Sequence, residues 1–469
     1  MTMALKHGAR RIGWLFLTML ALVGCDDDPS TSTDAGAENN DSNNDDQNNA
    51  PNNDDDNNAG DNTCEPSPEP IFVAFGGPVF DPFIDLEAND ERAVVVWQDF
   101  SSDSNGAVIE GPVLTANIAA DQSQRPEPQT LFDPDAETGE INGGVTLARQ
   151  GDGFAAVWNQ RTGPGELDFE VRVASIDAQG QPERQQALAQ SPALLLGVGP
   201  GERQDQAFLV ATWPPPTSPN APFDLWTEPG GQPIKGELVL DGVPALRARS
   251  LRMVGLANGN LAALYEKEDA PGVFWESLSA DNPQISGEGR QVSEGGISRR
   301  ARVGRGHTAF FDEGFLEGPD GNLVGTQIKV TILDDDGQVV ADVVLDRDED
   351  ANFSALAPGD LLFDEEGQLV VMWTRFSEDS QTETLRAHIA SATFDLATGQ
   401  LTKEPADLVE LSNHAELSDA PGGFAPALFA RSANNRVGVL YSTEVFRGSD
   451  DETFTYAGLT SHFVWVCVP

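Results

Sequence analysis

Two groups of arginines stand out in a chain that is otherwise strongly acidic, with a formal net charge of −48 over 469 residues. Guanidinium forks suit carboxylate and phosphate groups, so clustered arginines can hold an anionic ligand such as an acidic glycan. Ion pairs with the surrounding Asp and Glu would explain the same clusters without a ligand. The clusters are Arg247, Arg249 and Arg252, then Arg299, Arg300, Arg302 and Arg305. The residues predicted to bind a ligand are Arg247, Arg249, Arg299, Arg300 and Arg302.

Two acidic runs have the alternating spacing with which a loop can wrap a hard cation such as Ca²⁺. The first is Asp133, Asp135 and Glu137; the second is Asp346, Asp348 and Asp350. Neither matches an EF-hand loop, because Thr138 and Ala351 stand where the central Gly belongs. Such spacings also arise by chance in so acidic a chain. We therefore predict no cofactor and keep Ca²⁺ as the alternative.

Catalytic signatures are mostly missing from the sequence. The five histidines show no metal-ligand spacing, and no Gly-x-Ser-x-Gly motif or phosphate loop is present. Several carboxylates could form a glycosidase-type pair, which needs two converging groups. They are Asp99, Glu266, Glu268, Asp312, Glu313 and Glu444. Nothing selects two of them, so we predict no catalytic residue and favour binding over catalysis.

A recurring apolar phrase determines the expected fold. It is a run of β-branched or small apolar residues that is closed by an aromatic residue and bounded by Gly or polar turns. Such a run is typical of a strand buried on both faces. The closing aromatics are Trp97, Trp158, Trp213, Tyr265, Phe311, Trp373 and Tyr441, which lie 46 to 68 residues apart. Repeats of roughly 40–50 residues with four strands each indicate propeller blades.

The sequence therefore predicts an all-β, seven-bladed β-propeller of four-stranded blades. A two-sheet or tandem-sandwich arrangement is the main alternative. Within each repeat we expect a short apolar first strand, a tight turn, the apolar phrase as second strand, and an alternating third strand nearer the rim. The third strand ends in a recurring Asp–Gly–Gln turn, as at 177–181 and 334–338. Connections after the apolar phrase are long and polar, and binding residues concentrate on such loops.

The first 25 residues resemble a bacterial lipoprotein signal. Lys6, Arg10 and Arg11 precede an apolar run over 12–23, which is too short to span a bilayer. The run closes with Leu-Val-Gly-Cys, which is similar to the lipobox, and this resemblance implies that Cys25 is lipidated. Asp26 follows it. In enterobacterial lipoproteins that residue tends to retain the protein in the inner membrane, but other lineages sort by other rules. We favour the outer membrane or the cell surface.

The chain divides into three predicted segments. Residues 1–24 form the signal peptide. Residues 25–63 are rich in Asp and Asn and contain no Lys, Arg or aromatic residue, which predicts a disordered acidic tether. Residues 64–469 form the propeller. Cys64 and Cys467 lie near the two ends of that domain, and disulfides persist outside the cytoplasm, so we predict a Cys64–Cys467 bond that staples the ring.

These patterns together predict a lipid-anchored, exported module at the bacterial cell envelope that binds or scaffolds, with its ligand on the face that carries the long loops. One alternative is a carboxylate-dependent, glycan-acting hydrolase or lyase. Another is a structural partner in envelope assembly. Expected partners are the membrane, through the lipid, and an anionic glycan or an envelope protein. We expect no nucleic-acid partner, because nucleic-acid binding relies on basic surfaces and the net charge of this chain is −48.

Overall fold

The structure, a computed structural model, describes residues 70–467 with interruptions. The gaps are 77–83, 90, 103–107, 120–124, 134–140, 164–167, 191–193, 200–208, 214–219, 228–230, 240–250, 268–269, 318–322, 349–355, 365–366, 380–383, 412–427, 432–435 and 450–452. The described residues form 29 β-strands. Among them there is no helix long and apolar enough to span a bilayer.

The strands assemble into seven antiparallel sheets, which we number as blades 1 to 7. Blade 1 contains β2 (Ile84–Ala88), β3 (Arg92–Ser102), β4 (Val108–Ala119) and β5 (Gln129–Phe132). Blade 2 contains β6 (Ile141–Gln150), β7 (Gly153–Arg161), β8 (Phe169–Ile176) and β9 (Pro182–Ala189). Blade 3 contains β10 (Leu194–Gly199), β11 (Leu209–Trp213), β12 (Asn220–Trp226) and β13 (Ile234–Val239).

The other four blades follow in chain order. Blade 4 contains β14 (Arg252–Gly255), β15 (Leu261–Glu266), β16 (Val273–Leu278) and β18 (Arg290–Ser293); the short β17 (Gln284–Ile285) pairs in parallel with β13 of blade 3. Blade 5 contains β19 (Gly296–Gly304), β20 (His307–Glu317), β21 (Leu323–Asp334) and β22 (Val339–Asp348). Blade 6 contains β23 (Leu356–Phe363), β24 (Gln368–Asp379), β25 (Thr384–Asp395) and β26 (Gln400–Leu411). Blade 7 contains β27 (Leu428–Arg431), β28 (Arg436–Ser449), β29 (Thr453–Cys467) and, as its fourth strand, β1 (Ile71–Gly76).

The ring closes by combining the two ends of the chain in one blade. β1 pairs with β29, so the outermost strand of blade 7 comes from the beginning of the described chain. The first strands of neighbouring blades contact one another all the way round, including β2 with β27. The predicted seven-bladed propeller of four-stranded blades is thus confirmed. The sequence did not predict that β1 would complete the last blade.

The apolar phrase forms the second strand of every blade and explains the core. Its alternate residues face opposite neighbours, because side chains alternate along a strand. Val94 and Val96 pack against blade 2, whereas Val95 and Trp97 pack against blade 7. Full burial of one such side chain contributes about 1.5–3 kcal/mol, so the blade junctions hold the ring together.

The predicted alternation of the third strands holds along β8, where buried and partly exposed residues alternate from Phe169 to Val173. It fails at the end of β21, where Val330, Thr331, Ile332 and Leu333 are all fully buried. The fourth strands are more exposed, such as β26, most of whose residues are exposed or partly so. The reason is that neighbouring blades cover both faces of the third strand, whereas the fourth strand lies at the circumference.

The Asp–Gly–Gln turns between third and fourth strands form as predicted. Asp177 Oδ1 accepts the backbone N–H groups of Gln179 at 2.9 Å and Gln181 at 2.7 Å. Asp334 makes the same pair of bonds in blade 5. These turns and those between first and second strands share one face of the ring, which we call the short-turn face. Blade-to-blade crossings and the connections between second and third strands share the opposite, long-loop face.

Candidate functional site

A wall of extended hairpins rises on one side of the long-loop face. In four adjacent blades the second strand continues well past its closing aromatic, to Ser102 in blade 1, Glu317 in blade 5, Asp379 in blade 6 and Ser449 in blade 7. The third strands pair with these extensions, as Ser449 does with Thr453. Many residues predicted to be long loops are therefore strands. We call these four extensions the hairpin wall.

The other three blades carry no such extension within the described chain. Their second strands are described to Arg161 in blade 2, Trp213 in blade 3 and Glu266 in blade 4, and residues 214–219 and 268–269 beyond the last two lie outside the described chain. At ~3.3 Å per residue, the extension from Tyr441 to Ser449 can rise about 26 Å, against about 10 Å from Trp158 to Arg161. Within the described chain the hairpins of blades 5, 6, 7 and 1 therefore rise higher on the long-loop face than the hairpin of blade 2, in which the N–H of Thr162 already bonds the carbonyl of Asp168 at 2.7 Å.

Polar side chains are buried where the hairpin of blade 7 leaves the core. The hydroxyls of Ser442 and Ser461 lie 2.8 Å apart, and those of Thr443 and Thr460 lie 3.0 Å apart. His462, beside them, stacks on Tyr441 with ring centroids 5.7 Å apart. Cross-strand hydroxyl pairs let the buried polar groups satisfy one another, so they fix the base of the wall.

Two of the candidate carboxylates on this face are held by the fold. Asp312, which is 2 % exposed, accepts a hydrogen bond from Ser293 Oγ, and Lys329 Nζ lies 3.1 Å from its Oδ2. Glu266 Oε1 accepts the backbone N–H of Ile297 at 2.9 Å. Asp99 and Glu444 lie on β3 and β28, with partly buried side chains. Residue 268 and the side chain of Glu313 lie outside the described part of the chain.

Lys329 joins two carboxylates in blade 5. Its Nζ lies 2.8 Å from Asp342 Oδ1 as well as 3.1 Å from Asp312 Oδ2. Burial alone would lower the pKa of Lys329, but the hydrogen bonds and charges of Asp342 and Asp312 outweigh burial and raise that pKa. The cluster is a structural ion-pair network at the base of the wall.

Arg302 lies in the central channel, where two carboxylates hold its guanidinium. Its Nε and Nη2 bind Asp360 Oδ1 and Oδ2 at 2.8 and 2.6 Å. Its Nη1 lies 3.3 Å from Glu87 Oε1, which belongs to blade 1 on the other side of the channel. Burial would lower the pKa of Arg302, but the charges of Asp360 and Glu87 raise it well above its ordinary value.

The structure does not bring the rest of the arginine clusters into one described site. Arg305 has φ 58° in the turn after β19 and donates through Nε to Asp364 O at 3.3 Å, on the short-turn face. Arg252 Nη1 donates to the carbonyl of Leu251 at 3.0 Å. Arg247 and Arg249 lie outside the described residues, as do the side chains of Arg299 and Arg300 on β19. Ligand binding by these residues stays a prediction.

Asp346 is the best described member of the acidic runs, and its carboxylate binds neighbouring side chains. Its Oδ2 accepts Trp373 Nε1 at 2.9 Å and Arg375 Nε, so it joins blades 5 and 6. Asp348 ends β22, and Asp133 follows β5. Asp135, Glu137 and Asp350 fall outside the described residues. Within the described chain no three potential metal-ligating side chains converge, and Ca²⁺ binding by either run stays a prediction.

The lipidation prediction and one end of the predicted disulfide fall on residues that the structure does not describe. Cys25 and Cys64 lie outside the described chain, whereas Cys467 ends β29. Lipidation of Cys25 and the Cys64–Cys467 bond stay predictions.

Sequence reasoning missed the partners of Arg302, although the sequence carries a signal for them. Asp85-Leu86 and Asp360-Leu361 repeat the same dipeptide in the first strands of two blades. Each Asp accepts the N–H of the following Leu, at 2.9 and 2.8 Å. Asp85 uses its other oxygen for the N–H of Leu147 in blade 2, at 2.8 Å. In these two first strands the carboxylate therefore joins innermost strands of neighbouring blades, although the same dipeptide also occurs outside the first strands, as at 224–225 and 407–408.

Comparison with known proteins adds the fold alone. The sequence matches no family model and no curated protein. Solved structures with a similar arrangement include a polysaccharide lyase of family PL25, an ulvan lyase, at 8 % identity with TM-score 0.47, covering 82 % of this chain and 94 % of that one. The phage phi92 endosialidase is 7 % identical with TM-score 0.42, covering 86 % and 69 %. The six-bladed Aleuria aurantia lectin is 12 % identical with TM-score 0.33, covering 69 % and 95 %. Glycan-acting enzymes and lectins are thus among the structural neighbours.

Proposed function

We propose that this chain is an exported, lipid-anchored propeller that works as a binding module at the bacterial envelope, with its ligand held on the long-loop face. The observation that carries the proposal is the hairpin wall. Four adjacent blades extend their hairpins on the same face, whereas the described hairpin of blade 2 is short. A wall that stands beside a shorter hairpin would border a recess, the shape that ligand sites share.

The direction of β1 supports a binding face turned away from the membrane. β29 runs from its hairpin on the long-loop face down to Cys467 on the short-turn face. β1 is antiparallel to β29, and its first residue, Ile71, pairs with Phe463 near that lower end. The acidic segment that follows Cys25 therefore joins the ring at the short-turn face. A lipid at Cys25 would leave the long-loop face free to point outward.

Two of the carboxylates that the hydrolase or lyase alternative could use are bound within the fold. Asp312 is bonded to Ser293 and Lys329, and Glu266 accepts the backbone N–H of Ile297. A glycosidase-type reaction needs one carboxyl group to donate a proton and the other to attack or to activate water. The contacts of these two carboxylates explain their presence structurally, so we favour binding.

Anchoring is tested by labelling expressing cells with a radioactive or alkynyl fatty acid. The chain should take up the label and sediment with membranes, and Cys25→Ser should abolish both. A Cys25→Ser variant that still carries label would contradict the lipid assignment. Ligand binding is tested on a glycan and peptide array with the mature chain in a detergent that has no sugar headgroup.

The hairpin wall is tested in blade 7 by replacing residues 447–455 with Asn-Gly. This change removes the top of the hairpin and joins its two strands by a two-residue turn. We expect the array signal to be lost while the cooperative unfolding transition is kept. Thr402→Trp, on the exposed β26, is the control and should bind like the parent chain. Equal binding by the trimmed and parent chains would contradict the proposed face.

A further inference from the structure

One face of the blade 7 hairpin carries a group of aromatic residues near its upper end. In the antiparallel register of β28 and β29, Phe446 lies opposite Tyr456, and Gly448 lies opposite Phe454. Positions 446 and 448 are two residues apart on β28, so they and their partners belong to the same face of the hairpin. The register therefore places three aromatic residues together on one face of the hairpin wall.

That face is turned towards blade 1. Leu440 of β28 packs in the same core as Trp97 of blade 1. Positions 440, 442, 444 and 446 lie on one side of β28, because the extra residue at the register shift is Ala457 on β29. Glu444 is one of these positions, and its side chain is partly buried. A carboxylate is therefore placed between the apolar core and the three aromatic positions.

A second carboxylate borders the same junction from blade 1. Asp99 comes two residues after Trp97 on β3, and Trp97 packs against blade 7. Position 99 is thus on the side of β3 that faces blade 7, and the side chain of Asp99 is partly buried. Two carboxylates and three aromatic residues therefore come from the two sides of one junction, on the long-loop side of the core.

The charge of the hairpin wall favours a cation at this junction. Its strands and the segments that join them contain fourteen Asp and Glu residues and three Arg, within 98–110, 312–326, 374–386 and 443–460. Two of those arginines, Arg375 and Arg386, already pair with carboxylates of the fold. The arginine clusters around Arg252 and Arg302 lie on first strands and not on the wall. An anionic ligand would be repelled here, and a cation would be attracted.

Aromatic residues beside carboxylates suit one kind of cation in particular. The face of an aromatic ring attracts a cation, and a nearby carboxylate adds the opposite charge. An alkylammonium group uses both, because its carbon atoms contact the rings while its charge is balanced. The residues at this junction thus fit an alkylammonium group better than a neutral or acidic one.

We propose that the junction between the hairpins of blades 7 and 1 binds an alkylammonium group. Phe446, Phe454 and Tyr456 supply the aromatic faces, and Glu444 and Asp99 supply the opposite charge. The inference rests on the proposed function, because it names the ligand class for the same long-loop face. A lysine side chain of a peptide carries such a group, and so does a quaternary ammonium compound such as choline. One group of this size predicts a weak site, with Kd in the millimolar range.

The test uses saturation-transfer NMR on the mature chain in a polyoxyethylene detergent, which carries no ammonium group. The probes are choline, an acetylated lysine methylamide with a free side chain, and the neutral analogue of choline in which carbon replaces nitrogen. Each is used at about 50 mM, a concentration suited to millimolar binding. We expect transfer to at least one of the two cations and much less to the neutral analogue. The stronger of the two cations identifies the source of the group.

Variants of Tyr456 test the aromatic part of the site. Tyr456→Leu removes a ring and should weaken binding about tenfold, whereas Tyr456→Phe keeps the ring and should bind like the parent chain. Phe315→Leu, on the blade 5 hairpin of the same wall, is the matched control and should also bind like the parent chain. The cooperative unfolding transition of each variant shows that the ring is folded. Equal binding by Tyr456→Leu and Phe315→Leu would overturn the proposal.

A charge variant tests the site without removing any packing area. Glu444→Gln keeps the shape of the side chain and should weaken cation binding about fivefold to tenfold, and Glu404→Gln on the exposed β26 is its control. The proposal is overturned if neither cation shows transfer, if the neutral analogue binds as well as the cations, or if these two variants bind alike. If neither cation binds while an array ligand is lost on trimming 447–455, this inference falls and the proposed function of the long-loop face stands.

Discussion

Arg302 and Asp360 form a two-point ion pair in the central channel, with N–O distances of 2.8 and 2.6 Å. Asp360 is fully buried on the first strand of blade 6, and Arg302 comes from the first strand of blade 5. Glu87 of blade 1 completes the group at 3.3 Å. Three blades are thereby joined across the axis of the ring.

Removing the cation from this network should strongly destabilise the ring. Arg302→Met takes the guanidinium away from the buried carboxylate of Asp360, and breaking a buried ion pair in this way costs about 3–5 kcal/mol in comparable sites. The free energy of unfolding is measured by urea titration with tryptophan fluorescence. Arg386→Met is the control, because Arg386 is about half exposed and lies 3.6 Å from Glu410, so its loss should cost at most ~1 kcal/mol. Similar costs for the two variants would show that the channel network does not hold the ring.

The turn glycine of blade 5 should tolerate no side chain. Gly337 has φ 72°, and a Cβ there would overlap the indole ring of Trp275 in blade 4. Gly259, at φ 82°, has open space around its Cβ position. Gly259→Ala should therefore lower the free energy of unfolding by roughly 1–2 kcal/mol, the strain of a left-handed backbone with a Cβ. Gly337→Ala should lower it by about 1–3 kcal/mol more, because the added methyl group also overlaps Trp275. Equal costs in thermal or urea unfolding would contradict the close packing of this turn against Trp275.

The Cys64–Cys467 bond should be measurable in the exported protein. The loop that it would close contains about 400 residues, for which chain-entropy arguments give roughly 5 kcal/mol or slightly more. We expect Ellman's reagent to find no free thiol in the denatured mature chain and reduction to lower the melting temperature. Cys64→Ser should lower it as much as reduction does. Two titratable thiols would disprove the bond.

Lys329 should make the stability of blade 5 fall at alkaline pH. Its pKa is raised in the folded chain, mainly because Asp342 and Asp312 outweigh the effect of burial. The stabilisation is therefore complete below the unfolded pKa, about 10.4, and is lost as pH rises through the folded pKa. Above about pH 10 the urea midpoint of unfolding should fall more steeply with rising pH for the parent chain than for Lys329→Met. Lys403→Met, on the exposed β26, is the control and should behave like the parent chain. Equal slopes for the parent chain and Lys329→Met would contradict this role of Lys329.

The ring was predictable from the sequence because every blade repeats the same apolar second strand. A strand such as 93–97 is apolar on both faces, and both faces are buried only when the strand lies between two neighbouring blades. The completion of blade 7 by β1 was not predictable in this way, because β1 pairs with residues almost 400 positions away. The residues of the hairpin wall were predicted to be loops because they include few apolar residues and so lack the pattern of a buried strand.

The candidate site was less predictable than the fold because it depends on which side chains meet. Clustering in the sequence suggested that Arg302 acts with Arg299 and Arg300, but its described partners Glu87 and Asp360 are distant in sequence.

The claim that the long-loop face is the binding face is tested most directly by hydrogen–deuterium exchange with and without a glycan or peptide bound. The account predicts slowed exchange at 98–110, 312–326, 374–386 and 443–460, the four extensions of the hairpin wall. Slowed exchange confined to the short-turn face, as at 177–181 and 334–338, with the wall unchanged, would contradict it.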